Sequence, residues 1–276
     1  MNTRDLNQNQ AIPDVQGYRD QRNLAIQRVG VRGLKYPLRW RARDGVQHTV
    51  MQAALDVALP ADQKGTHMSR FIALLQAQGQ EDALDLEGML KLHHKMLERL
   101  QAQDGQIELQ FPLFLKKKAP VSGVESLLDY QIVLKTQGSL DATHCELSVT
   151  APVTSLCPCS KEVSAYGAHN QRSHLALEVR LNPTRLADCD AESLIAIAES
   201  QASSEVYGLL KRVDEKHVTE RAYDNPKFVE DLVRDVAAAL HASQDQFGLI
   251  AYCVRAENFE SIHNHSAWAE LHSANW

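Results

Sequence analysis

A chain of 276 residues with 44% hydrophobic and 23% charged residues lies close to globular averages, and it is long enough for one large domain or two of about 130 residues. Its net charge of −6 leaves no basic footprint for nucleic acid, and no apolar stretch approaches the roughly 20 residues that cross a bilayer. Five cysteines, an odd number of which only Cys157 and Cys159 stand together, argue against a disulfide framework and for metal binding or catalysis at that pair.

Residues 1–20 are polar and lack the apolar run of a secretory signal, which reads as a lead-in, spanning 1–28, on a cytoplasmic protein. Strand character over 31–42 and 47–59 flanks Asp44-Gly45, a strong hairpin signal. Helices are predicted over Met68–Gln78 and 84–103, separated by Gly79; in the second, Leu86, Met89, Leu90, His93, Leu97 and Leu100 keep the spacing of one face. Apolar and polar residues then alternate over 107–115 and 127–136, which predicts two more strands.

The same order recurs in the second half: strands at 144–153 and 174–181, helices at 191–212 and 226–242, and strands from Phe247 onward. The reading is therefore α+β, with antiparallel hairpins, helices grouped on one face, and two units at 29–137 and 138–276 meeting near Gly138. Hairpin edges can pair with another subunit, so a homo-oligomer is expected.

Chemistry points first to Cys157-Pro158-Cys159-Ser160-Lys161. The proline fixes φ and is expected to hold a loop extended after a strand, presenting two thiols together beside a cation. His169, twelve positions after Cys157, the pair His263 and His265, and the carboxylates Glu215, Glu220 and Glu230 are candidate partners, and a mixture of Cys, His and carboxylate suits Zn²⁺. Each has a plainer explanation. A C-x-C pair is shorter than the usual C-x₂-C zinc pair and is as readily two small buried residues; two histidines at i and i+2 share a face of any strand; a glutamate in an acidic helix such as Val229-Glu230-Asp231 is normally solvated. The segment Lys64-Gly65-Thr66-His67-Met68-Ser69-Arg70 puts cations, hydroxyls and a glycine before a helix, where phosphate can bind. An ordinary loop and N-cap accounts for it too, and no P-loop or G-x-G-x-x-G pattern is present.

Taken together, Lys64 to Phe71, Cys157 to Lys161, Tyr166-Gly167-Ala168-His169-Asn170-Gln171-Arg172 and Glu260-Ser261-Ile262-His263-Asn264-His265 resemble the GTP cyclohydrolase IB family, in order and over about Gly30 to His265. The resemblance implies a bimodular tunnelling fold of two ββααββ units, assembled as a homotetramer with sites at subunit contacts. It implies that GTP and water give 7,8-dihydroneopterin triphosphate and formate, the first step toward folate-type pterins, with a divalent ion that is Zn²⁺ or Mn²⁺, Fe²⁺ being a further option. Position by position it implies Cys157 and His169 as ligands, with Glu215 and with His263 or, alternatively, His265. It implies Glu230, with Glu220 as competitor, as the acceptor of the guanine edge.

The expected chemistry is attack of metal-bound hydroxide on purine C8, since a divalent ion brings the pKa of its water from about 15.7 toward about 7. His169 or Cys159 shuttles protons, and Lys64, His67, Arg70 and Lys161 neutralise the phosphates. Two rivals belong to other classes: the tunnelling-fold nitrile reductase of queuosine biosynthesis, whose Glu- and Lys-rich cofactor motif is not apparent, and a non-catalytic scaffold with a closed four-ligand site.

Overall fold

A computed structural model describes residues 14–276; the part of the expected lead-in at 1–13 lies outside the described residues. In chain order the elements are β1 (Ile26–Ala42), β2 (Gly45–Leu59), α1 (Met68–Gln78), α2 (Leu86–Leu100), β3 (Gly105–Lys118), β4 (Glu125–Gly138), β5 (Thr143–Leu156) and α3 (Pro158–Val163). They continue as β6 (Asn170–Leu181), α4 (Ala191–Gln201), β7 (Ser204–Glu205), α5 (Arg212–Asp224), α6 (Val229–Ala242), α7 (Gln244–Phe247), β8 (Leu249–Asn258) and β9 (Ala267–His272). The architecture is α+β, as expected. The strands form one antiparallel sheet in the order β1-β2-β3-β4-β5-β6-β8-β9, with β7 paired to β5 off that path.

Strand periodicity explains the layers. Leu55 pairs with Ile107, Ile107 with Thr136, Thr136 with Cys145 and Cys145 with Leu181, so every second residue of successive strands lands on one face. That face carries Leu109, Phe111, Ile132, Leu147, Val149, Leu177 and Val179, all essentially inaccessible, and α1, α2, α4 and α6 bury their apolar stripes in the same core. The opposite face is crossed by ion pairs between neighbouring strands, Glu146 with Lys135 and Arg180, and Arg255 with Glu178 and Glu270.

The predicted hairpin forms at Asp44-Gly45, with Ala42 opposite Gly45. Between β4 and β5 the chain turns at Gly138, whose φ of +127° and whose absent Cβ, which would lie 2.1 Å from the Ala142 carbonyl oxygen, admit no other residue without strain.

Three local expectations are corrected. The single helix expected over 191–212 ends at Gln201, because Ser203 and Ser204 turn inward and β7 pairs with Val153 and Thr154. The stretch read as a connection, around Glu215 and Glu220, is the helix α5. Its apolar residues are too few for a periodic signal, and it is seeded instead by buried Asp214, which accepts hydrogen bonds from the Val121, Ser122 and Lys211 N–H groups and from the Ser122 hydroxyl. Burial by itself would raise the Asp214 carboxyl, but those four donors outweigh it and hold the group well below the usual carboxylate range. Finally, the chain does not stay extended through Cys157-Pro158-Cys159: Cys157 is the N-cap of α3 and Pro158 its first residue, a position whose missing N–H is no loss.

His93 is fully buried on α2, its Nε2 is 3.0 Å from the Gly138 carbonyl oxygen, and its Nδ1 is buried without a partner. The carbonyl only accepts, so Nε2 carries the proton and Nδ1 an unmatched lone pair. Burial lowers the pKa of His93 below 6.5, and the nearby His94 adds to this against the opposing pull of the Gly138 bond and Asp104. A depressed histidine pKa means that below 6.5 the unfolded chain takes up a proton the folded chain resists. Stability is therefore expected to be fully present above 6.5 and to fall as pH drops below it. Urea titrations across that range check this, with His93→Gln, which keeps a donor for Gly138, giving the flatter profile.

Candidate active site

The sheet brings the ends of three strands to one corner. Leu156, the last residue of β5, pairs with Asn170, the first of β6, and Ser173 pairs with Asn258 at the end of β8. Cys157 and His169 flank the first of these pairs, and the Cys157 N–H donates to the His169 carbonyl at 3.1 Å. Ser160 ties them again, since its hydroxyl donates to the Cys157 carbonyl at 3.1 Å and accepts from the His169 N–H at 3.2 Å. The two residues that the loop spacing brought forward thus stand side by side.

The cysteines divide by environment. Burial pushes the thiols of Cys145 and Cys253 up to about 11 and that of Cys189 to about 12, so these remain protonated. Cys157 is half-buried and Cys159 exposed. The Cys157 sulfur accepts from the Ser160 N–H at 3.4 Å, which makes it the capping atom of α3.

His169 is held by one ring nitrogen. Its Nδ1 lies 2.9 Å from Gln171 Oε1 and 4.0 Å from Glu260 Oε2, an arrangement that leaves Nε2 as the nitrogen with the available lone pair. Glu260 opens the turn between β8 and β9, anchored where the Phe259 N–H donates to the Arg172 carbonyl at 3.0 Å. His263 and His265 are in this turn, exposed, with rings stacked 5.0 Å apart; a turn and not a strand end brings them together.

Two further segments approach the corner. The Lys227 N–H, on the link between α5 and α6, donates to the Leu156 carbonyl at 3.0 Å, which ties the segment leading into α6 to the residue before Cys157; Glu230 is exposed in the first turn of that helix. Lys161 extends from α3 to the Tyr223 carbonyl, its ammonium 4.3 Å from the centre of the Tyr223 ring. Glu220 instead pairs with Lys216 on the exposed side of α5 at 2.9 Å, so its carboxylate is already engaged. Glu215 is exposed in the first turn of α5, next to the anchored Asp214.

Lys64, His67 and Arg70 do not join this group within one chain. They gather at the start of α1, where His67 is the N-cap and its Nε2 lies 3.0 Å from Asp14 Oδ1. Lys64 sits 5.8 Å from the Tyr18 ring centre, and Arg70 donates to the Arg99 carbonyl at 3.3 Å. Among the described residues no group of three or more His, Cys, Asp or Glu side chains is close enough to share an ion.

Residue-by-residue reading missed Glu260 and Gln171. Glu260 opens the motif that supplied His263, and Gln171 stands two positions beyond His169, on the same side of an extended chain. The clearer signal was polarity out of place: Ser155, Gln171, Ser173 and Asn258 are all buried at positions where the strand pattern calls for apolar residues.

The family model described as type I GTP cyclohydrolase folE2 matches residues 12–269. A protein of Cupriavidus metallidurans described as GTP cyclohydrolase FolE2 2 is 54% identical over 267 residues, 97% of each chain. A GTP cyclohydrolase FolE2 of Burkholderia ambifaria is 56% identical over 259 residues, 94% of this chain and 93% of that one. Among solved structures, urate oxidase from Bacillus subtilis 168 superposes with a TM-score of 0.52 at 9% identity, covering 90% of this chain and 98% of that one. Uricase from Arthrobacter globiformis gives 0.51 at 9% identity, covering 89% and 92%. At such identity the likeness is one of fold, the tunnelling fold.

Proposed function

Because this chain belongs to the FolE2 family of type I GTP cyclohydrolases, we propose that the corner formed by Cys157 and His169 is where its substrate is opened. The enzyme is a GTP cyclohydrolase of folate biosynthesis, converting GTP and water to 7,8-dihydroneopterin triphosphate and formate. The finer assignment to type IB rests on the motifs at Lys64, Cys157, His169 and His263. The observation that carries the site is the pairing of a half-buried thiol with an imidazole whose Nδ1 is already bound, leaving Nε2 for a ligand.

By residue type a divalent ion, Zn²⁺, Mn²⁺ or Fe²⁺, suits this set: Cys157 and His169, which the strand ends bring side by side, would hold it with Glu215 and with His263 or His265, which the single chain does not gather around them. Glu260, 4.0 Å from His169 Nδ1, stands on the side of the ring away from Nε2, where it favours a proton on Nδ1. Such an ion would supply Lewis acidity, lowering the pKa of a water toward about 7. The chain does the rest. Glu230 accepts from guanine N1–H and the amino group, a bidentate arrangement that adenine cannot match. Cys159, exposed beside Cys157, moves protons as formate departs, help worth about 10²–10⁴-fold.

Lys64, His67 and Arg70 bind the triphosphate at the start of α1, aided by Lys161, with the Asp14 carboxylate on His67 giving way to phosphate oxygen. Exposed Val163, Tyr166 and Ile262 around the corner support a homotetramer in which a second copy brings its α1 segment to this site. The two units lie at 29–137 and 138–276, after the lead-in 1–28. Reduced thiols at Cys157 and Cys159 fit the cytoplasm; for the membrane, no helix among the described residues is long and apolar enough to cross it.

The test is metal removal. Chelated protein is expected to release no formate from GTP, and Zn²⁺ or Mn²⁺ to restore both formate and the fluorescence of the oxidised pterin. Full turnover by protein shown to be metal-free would sink the proposal.

A further inference from the structure

Behind His169 the inward stripe of the sheet becomes a chain of polar side chains. Gln171 Nε2 lies 2.8 Å from Ser155 Oγ, the hydroxyls of Ser155 and Ser173 are 3.1 Å apart, and Ser173 Oγ is 2.7 Å from Asn258 Oδ1. Gln171 Oε1 faces His169 Nδ1 at 2.9 Å. Ser155, Ser173 and Asn258 are at most 2% exposed and Gln171 is 7% exposed, so water does not compete for these bonds.

Proton counting gives the chain a direction. The carbonyl oxygen of Asn258 only accepts, so the one hydroxyl proton of Ser173 goes to it. Ser173 Oγ then takes the proton of Ser155, and Ser155 Oγ is left to accept from the amide of Gln171. The carbonyl end of Gln171 must therefore point at His169, and only an Nδ1–H can complete the bond. Three strands contribute, Ser155 from β5, Gln171 and Ser173 from β6, Asn258 from β8, so the sheet register itself sets the imidazole.

We infer that Gln171 is a positioning residue: backed by Ser155, Ser173 and Asn258, it locks His169 in the Nδ1–H tautomer and aims the Nε2 lone pair at the bound ion. The inference rests on His169 being a ligand of that ion. Partners of this kind fix ring orientation and ligand basicity, and their loss costs about 10–100-fold in metal affinity.

Co²⁺ is the probe, followed by its visible absorption during titration of the stripped protein. Gln171→Leu, still folded but with a lower Tm because Ser155 loses its buried donor, is expected to bind Co²⁺ about 10–100-fold more weakly, and Gln171→Glu, which can only accept from the ring, to restore the affinity. In metal-free protein labelled with ¹⁵N-histidine, His169 is expected as the Nδ1–H tautomer, and to show a smaller share of it in Gln171→Leu, where Glu260, 4.0 Å from Nδ1, is the acceptor that remains. A structural role alone would not move the tautomer. Should His169→Ala bind Co²⁺ like the wild type, the ligand reading falls and this inference with it. Should His169→Ala lose Co²⁺ while Gln171→Leu binds it normally, or should Nδ1 of His169 carry no proton, the positioning role alone is overturned.

Discussion

Replacing Cys157 by serine is expected to leave a folded protein whose turnover of GTP is lower by more than about 10³-fold, equivalent to about 4 kcal/mol at 1.36 kcal/mol per decade. Serine is the informative choice because Cys157 does two things. Its sulfur caps α3 by accepting from the Ser160 N–H, and in the proposed site it is the soft ligand. Alanine would remove both, adding the roughly 0.5–2 kcal/mol that a lost cap costs. Serine caps as well as any residue but is a poor ligand for a soft divalent ion, so it isolates ligation. Metal content is expected to fall with activity while Tm holds. A Cys157→Ser protein that kept its metal and its rate would remove Cys157 from the site.

Next in size is Glu230→Gln, expected to lower kcat/KM for GTP by about 10²-fold, since a hydrogen bond to a charged group contributes about 1.5–3 kcal/mol and the amide also turns a donor toward donors of the guanine edge. Metal content is expected to stay unchanged, which separates this variant from those at Cys157. Glu220→Gln is the comparison. Its carboxylate is on the exposed side of α5 in an i, i+4 pair with Lys216, a contact worth only a few tenths of a kcal/mol, so little change is expected in steady-state kinetics. The opposite ranking would exchange the two residues.

The elements legible in the sequence were those whose burial follows a period. The hairpin at Asp44-Gly45, the one-sided helix around His93 and the alternating strands each announce which residues face the core, and they form where the pattern puts them. Helix α5 was hidden because its placement depends on Asp214 meeting the β3–β4 turn some ninety residues earlier, at Val121 and Ser122, and no local period encodes that meeting. The break after Gln201 was hidden for the same reason, since it depends on β7 pairing with β5.

By itself the sequence determined the α+β alternation, the separation of Cys157 and Cys159 from the other thiols, and the likeness to a GTP cyclohydrolase family, because these reside in residue type and short spacing. Only the tertiary structure decided that Cys157 starts a helix, that Glu260 lies against His169, that Glu220 is already paired, and that Ser155, Gln171, Ser173 and Asn258 form one chain. The physical reason is that hydrogen bonds between side chains depend on register across strands far apart in sequence, whereas burial and turn formation are written locally in each segment.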